Sequence, residues 1–364
     1  MKCRNDKYEI SLARPEDSRQ LLNIYECGDF KGNISVLYTR RPDPYKSLLL
    51  EGEKAVIPIV TDKAKGVIVG MGACIIRKAY INGAVKITGY LSGLKGLSEY
   101  RKRVPSIAEV YQYLYELTKD EVDIYYTTIL KDNLSVQKML EKKRKNMPEY
   151  RPQGEYTVYC FRTGAWRNLQ TRQTRQTRQK NKEYSLENGD TEELKSLYQA
   201  GSGSYNFSLA DLNLYGLAEK DIYILRNRQG KVVAACVLWN QQSYKQYIVT
   251  EYRGIYKYLK KLPLRLLGYP DLPSENIPAN YGSITLLAVK NNDVLLAAHF
   301  LKMVAEKADR YDFLMLGFFE THPLSAALAR IKCIKYQSKL YTVHWPDKSL
   351  SLDNRPINLE VGLL

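Results

Sequence analysis

Ser92-Gly93-Leu94, followed by Tyr100-Arg101-Lys102-Arg103-Val104-Pro105-Ser106, is the stretch on which the reading of this chain turns. The apolar positions Ile87 and Tyr90 lead into Ser92 to Leu94, so that end reads as a strand. A basic turn follows. Pro105 suits the first turn of a helix, where its missing N–H would have no partner anyway. Ile107, Val110, Tyr111, Leu114 and Leu117 then recur at helical spacing.

Working outward, Asn82-Gly83 lies between the apolar flanks ending at Ile76 and beginning at Ile87, a strong two-residue hairpin signal that makes these flanks antiparallel neighbours. Upstream, Tyr8 to Ala13 alternates like a strand and Arg14-Pro15-Glu16-Asp17 opens a helix carrying Leu21, Leu22 and Ile24. Ala55 to Val60 and Gly66 to Ile76 are apolar runs. Downstream come a strand from Val122 to Leu130, a helix from Leu134 to Lys145 and a strand from Tyr156 to Phe161. The same order returns after Leu186. Glu192 to Tyr198 reads as helix, Ile222 to Arg226 and Val232 to Trp239 as paired strands, and Ser283 to Val289 as a strand. Asn292 or Asp293 can cap a helix whose Val294, Ala297, Leu301, Val304 and Ala308 share one face. Tyr311 to Phe318 reads as strand, Leu324 to Ile331 as helix and Lys339 to Val343 as strand. Leu262 to Ala279, with four prolines, has no counterpart in the first half.

The fold class is therefore α/β (α+β), a duplicated mixed sheet flanked by helices. The 364 residues exceed the size at which one core usually stops growing, roughly 250–300 residues, and suit two domains. The expected division is 1–165, a basic linker over 166–185, 186–345, and a tail over 346–364. The linker holds three copies of Thr-Arg-Gln from Thr171 to Gln179 and reads as a solvated spacer. The tail alternates through Ile357-Asn358-Leu359-Glu360-Val361 and ends apolar, so it is expected to dock on a domain edge or in the groove between domains.

A net charge of +16 favours anionic partners. The six cysteines are scattered without a C-x-x-C pair, and the three histidines form no metal-binding pattern, so reduced thiols and no metal are expected. The charged first residues lack a signal-peptide core, and no apolar run is long enough to span a bilayer. The expectation is a cytoplasmic chain without a membrane partner.

The first half, Tyr8 to Phe161, resembles the GNAT acetyltransferases. The resemblance rests on the strand, basic turn and helix quoted above, on the strand Asp123 to Leu130 before Asp132-Asn133, and on the closing helix, turn and strand after Leu140. It implies two GNAT-like domains. It also implies an N-acyltransferase that moves acetyl from acetyl-CoA to a primary amine of a small molecule, amino acid or peptide by direct attack. In that family the loop and helix start hold the cofactor pyrophosphate, as helix N-termini hold anions. The implied cofactor residues are Leu94, Arg101, Lys102, Arg103, Val104, Ser106 and Asn133. Val104 and Ser106 stand where the family has glycines, and Pro105 removes a donor; the arginines and lysine can compensate through charged hydrogen bonds.

The implied catalytic set is a backbone N–H at or beside Leu94 for the oxyanion, and a hydroxyl to protonate the leaving thiolate. Leu140 occupies the position of the family's usual tyrosine acid, which leaves Tyr126, Tyr90 and Ser92 as candidates. Glu99 and Glu360 are weaker candidates for taking a proton. In the second half Lys290-Asn291-Asn292-Asp293 is too short for the phosphate loop, so that half is expected to form a substrate wall. Two other readings stand beside this one: a degenerate pair serving as a scaffold, and a tandem transferase using aminoacyl-tRNA. The charge suits tRNA, but no aromatic–basic motif favours nucleic acid.

Overall fold

The computed structural model describes residues 6–100, 107–144, 146–164, 183–329 and 331–364. The basic turn Arg101 to Ser106 and the Thr-Arg-Gln repeat lie outside these residues, so the expectations resting on them stay with the sequence.

In the first half β1 (Tyr8–Leu12), β4 (Pro58–Asp62), β5 (Val67–Ile81), β6 (Ala84–Gly96) and β7 (Ile124–Leu130) lie side by side, with the short β3 (Lys54–Val56) also against β5. The β5–β6 hairpin turns at Asn82 and Gly83, whose φ angles of 54° and 80° are those a two-residue hairpin turn requires. In the second half β9 (Tyr184–Asn188), β10 (Ile222–Asn227), β11 (Val232–Trp239), β13 (Tyr281–Val289) and β14 (Phe313–Phe319) repeat the arrangement. The closing strands then cross over. β8 (Glu149–Arg162), from the first half, pairs with β14, while β15 (Cys333–His344), from the second, pairs with β7. β8 and β15 also pair with each other from Cys333↔Phe161 to His344↔Glu149, which fuses everything into one 13-stranded sheet among the described residues. Periodicity identified both strands, but it carries no information about which half each one joins.

Helices α1 (Ser18–Glu26) and α2 (Pro44–Leu49) cover one face of the first half, burying Leu21, Ile24, Tyr25 and Leu48 with Tyr90 and Tyr126. Helices α3 (Ile107–Thr118) and α4 (Leu134–Glu141) cover the other, with Tyr125, Ile129 and Leu140. The alternation of β7 explains the split: Tyr125 and Tyr126 must face opposite ways. In the second half α5 (Thr191–Ser202) and α7 (Val294–Lys307) play these parts.

Two helices are shorter than the sequence suggests. α4 ends at Glu141, because no apolar residue follows Leu140 to anchor another turn before Met147. The segment after His322 is a 3₁₀ turn, Pro323–Leu328. One ribbon escaped sequence reading altogether: β2 (Ile34–Thr39) pairs antiparallel with β12 (Gln246–Tyr252), a partner more than 200 residues away.

Candidate functional site

The parallel pairing of β6 with β7 lasts for three positions only, ending at Tyr90↔Tyr126. Beyond it the strands part. β6 stays with β5, but its register shifts by one residue between Ala73↔Ser92 and Met71↔Lys95, a bulge at Gly93-Leu94. Gly93 takes φ 63°, and a Cβ there would lie 3.0 Å from the Tyr25 hydroxyl. Gly93→Ala should therefore cost about 1–2 kcal/mol for the left-handed backbone alone. Gly28→Ala, in open space, should be near neutral; equal costs for the two in urea unfolding would contradict the bulge.

Five hydroxyl side chains, Tyr90, Ser92, Tyr126, Thr127 and Thr128, lie on the two strands at this opening. Thr127 Oγ1 donates to the Leu91 carbonyl at 2.7 Å, satisfying the strand where the ladder stops. The Tyr90 and Tyr126 rings lie 5.0 Å apart, and Tyr126 packs on Phe207 at 4.7 Å. Tyr90 Oη and Thr128 Oγ1 share a hydrogen bond of 2.9 Å, while Tyr126 Oη accepts one of 3.1 Å from Arg77. Burial pushes both phenols above their ordinary range, so both carry their protons at neutral pH. Ser92 Oγ is buried without a hydrogen-bond partner among the described residues, and Leu94 is exposed.

Asn133 caps α4, its side chain accepting from Val136 N. Leu140 is part of the core between α4 and the sheet. Glu99 is exposed within the 3₁₀ turn Ser98–Tyr100.

Behind Tyr126 lies a charged cluster that sequence reasoning missed. Glu51, fully buried, accepts from Arg40 Nη2 and from Lys245 Nζ, each at 2.9 Å. Arg77 Nε donates to the Glu51 backbone carbonyl at 2.5 Å. Burial works against the Glu51 carboxylate, but the adjacent Arg40 and Lys245 outweigh it and hold the group down to about 2. For Lys245 desolvation wins, lowering the ammonium to about 8. The tail closes the cluster. Arg77 Nη2 donates to the Leu363 carbonyl at 3.1 Å, and Lys245 to the backbone oxygens of Gly362 and Leu364 at 3.0 and 2.9 Å.

The second half contains the same opening in another condition. β13 and β14 pair in parallel through Ser283↔Met315 and then part, and β13 bulges at Leu286, with φ 51°. The tail fills this gap. The Glu360 carboxylate accepts from Leu286 N at 3.1 Å, Thr285 Oγ1 at 2.7 Å and Tyr198 Oη at 3.1 Å. Burial raises the Glu360 carboxyl, and these three donors oppose the shift. At the start of α7 the Asp293 carboxylate takes the amides of Leu295 and Leu296, at 2.8 and 3.0 Å. Both backbone features that could receive an anionic ligand are thus occupied by the chain itself. Among the described residues no cluster of His, Cys, Asp and Glu is arranged to hold a metal, and no helix is long and apolar enough to cross a membrane.

The large mixed sheet flanked by helices is similar to that of solved GNAT-type N-acyltransferases. The chain has that fold, as two GNAT-like halves. It is similar over 98% of its length, and 90% of the other chain, to Saccharomyces cerevisiae N-myristoyltransferase with bound myristoyl-CoA, at TM-score 0.56 and 10% identity. A GCN5-related N-acetyltransferase from Sphaerobacter thermophilus matches 93% of this chain over 96% of its own, at TM-score 0.54 and 12% identity. The glucosamine N-acetyltransferase region of a fungal multi-domain β-N-acetylglucosaminidase matches 92% of this chain over 38% of its own, at TM-score 0.57 and 14% identity. No protein-family model and no curated protein matches the sequence.

Proposed function

We propose that this chain is an acyl-CoA-dependent N-acyltransferase, with the thioester seated in the β6–β7 opening and the second half serving as a wall of the substrate cleft. The observation that carries this reading is the contrast between the two openings. Glu360 occupies the second, whereas the first presents the buried, unpartnered Ser92 hydroxyl and two protonated phenols. The solved N-acyltransferases of this fold, one of them with myristoyl-CoA bound, support the choice of co-substrate. The packed Tyr90, Tyr126 and Phe207 rings floor the opening and favour a short acyl group, acetyl before longer chains.

In this reading the backbone N–H at Leu94, turned out of the ladder by the bulge, receives the oxyanion as a neutral primary amine attacks the carbonyl carbon. Collapse of the tetrahedral adduct breaks the C–S bond, and Tyr126 protonates the departing thiolate, with Tyr90 and Ser92 beside it. Glu51 stays ionised but is locked by Arg40 and Lys245, and Glu360 is committed to the second half, so neither takes the amine proton. That proton passes to the Tyr126 phenolate left when the thiolate is protonated, which restores the phenol and leaves amide and free thiol as products. Arg101, Lys102, Arg103, Val104 and Ser106, and Asn133 at the cap of α4, complete the coenzyme A site on the resemblance. We keep the division at 166–185 between two tandem domains as part of the same proposal.

Thermal denaturation with acetyl-CoA, coenzyme A and tRNA tests the reading, because a ligand at 100 times its Kd adds about 2.7 kcal/mol to the native state. A rise with the two CoA species is expected, and Arg101→Ala with Arg103→Ala should weaken that binding about tenfold or more. No rise with either would favour a scaffold, and a rise with tRNA alone would favour an aminoacyl-tRNA donor. The core position of Leu140, together with Val104 and Ser106 where the family has glycines, speaks for the scaffold.

A further inference from the structure

Residues 253–269, which run from the end of β12 into the Leu262 to Ala279 segment that has no counterpart in the first half, carry five cations (Arg253, Lys257, Lys260, Lys261, Arg265) and no acid. They leave β12 through Gly254, form α6 (Tyr256–Leu259) and a 3₁₀ turn over Leu264–Leu267, and end at Gly268 with φ 90°. Leu264 is buried, and Tyr269 N bonds back to its carbonyl at 3.2 Å, so the segment is folded and anchored. Most of its other large apolar side chains nonetheless face water: Ile255, Tyr258, Leu262, Leu266 and Leu267 are between 51% and 70% exposed, with Tyr256 and Leu259 half-buried. Lys260 pairs with Glu275 and Arg253 with Glu251, whereas Lys257 and Lys261 have no ion pair among the described residues.

Clustered exposed aliphatic groups are costly in water and mark an interaction surface. We propose that residues 253–269 form a peripheral docking surface for an anionic lipid membrane, the leucines and Ile255 entering the headgroup boundary and the lysines meeting lipid phosphates. The pattern of cations alternating with aliphatic and tyrosine side chains is what an interfacial element needs. Other occupants fit less well. A second copy would set five cations against five. Residues 165–182 of this chain bring six cations and no acid, which is again the same sign. Single-stranded nucleic acid asks for successive aromatic stacking surfaces, and here the exposed rings of Tyr258 and Tyr269 are outnumbered by the aliphatic Ile255, Leu262, Leu266 and Leu267.

Flotation of the full chain with vesicles tests this. The chain should rise with phosphatidylcholine vesicles containing phosphatidylglycerol and stay behind with phosphatidylcholine alone, and added salt should release it, since exposed charges are screened. Lys257→Gln with Lys261→Gln should lower partitioning about thirtyfold, at ~1 kcal/mol per cation. Leu266→Ser with Leu267→Ser should lower it about tenfold or more. All four positions are exposed, so the variants should keep the parent melting curve. The proposal is overturned if the parent chain does not float with anionic vesicles, or if both variants float as the parent does. It is also overturned if sedimentation shows the parent to be a dimer that Leu266→Ser with Leu267→Ser dissociates.

Discussion

Replacing Glu51 with glutamine is expected to destabilise the fold by about 3–5 kcal/mol, because it leaves buried cations without their counter-charge. Arg40, Lys245 and Arg77 all converge on this residue, the first two on its carboxylate, and all are nearly inaccessible to water. Glutamine keeps the shape and offers one oxygen, so a hydrogen bond survives; the Coulombic term does not. Urea unfolding provides the measurement, with Glu99→Gln, at an exposed site, expected within about 0.5 kcal/mol of the parent. A loss below about 1 kcal/mol for Glu51→Gln would mean that the cluster is solvated. The same residue sets an acid limit. Its folded carboxyl titrates at about 2 against an ordinary 4.5. Its contribution is therefore complete above pH 4.5 and is lost as the pH falls from there through about 2. Glu51→Gln should flatten the stability profile across that window while lowering it at neutral pH.

The contrast between what could and could not be read from the sequence follows from the range of each interaction. The Asn82-Gly83 hairpin, the β10–β11 pair and the apolar face of α7 are set by neighbours a few residues apart, and composition shows them directly. The Glu51–Lys245 pair joins residues 194 apart, and nothing near either position marks the other. The crossing of β8 and β15 is hidden for the same reason. Around the opening, Tyr90, Ser92 and Tyr126 could be singled out only through a family resemblance. That Gly93 makes the bulge, and that Arg77 holds Tyr126, needed the register of three strands. Glu360 was visible as a carboxylate in an alternating tail; its place in the second opening depends on Leu286, 74 residues away.

Tyr126→Phe should lower kcat about a hundredfold, at the low end of what a positioned general acid supplies, while leaving KM for the amine nearly unchanged. Tyr126 Oη accepts from the Arg77 guanidinium, so its own proton is left to point elsewhere, and burial keeps that proton in place at neutral pH. The guanidinium also stabilises the phenolate that forms when the proton moves to sulfur. Phenylalanine removes an acceptor from Arg77, which retains the carbonyls of Glu51 and Leu363, and a cost of about 1–3 kcal/mol is expected for the unpaired buried donor. That loss is structural and would not by itself separate kcat from KM, so the split is the diagnostic. Tyr90→Phe removes a comparable hydroxyl, bonded to Thr128 instead of a cation, and should cost kcat severalfold at most. If Tyr90→Phe or Ser92→Ala proves the more damaging change, the acid is reassigned within the opening. If all three variants turn over like the parent, the β6–β7 opening is not where the acyl group is transferred.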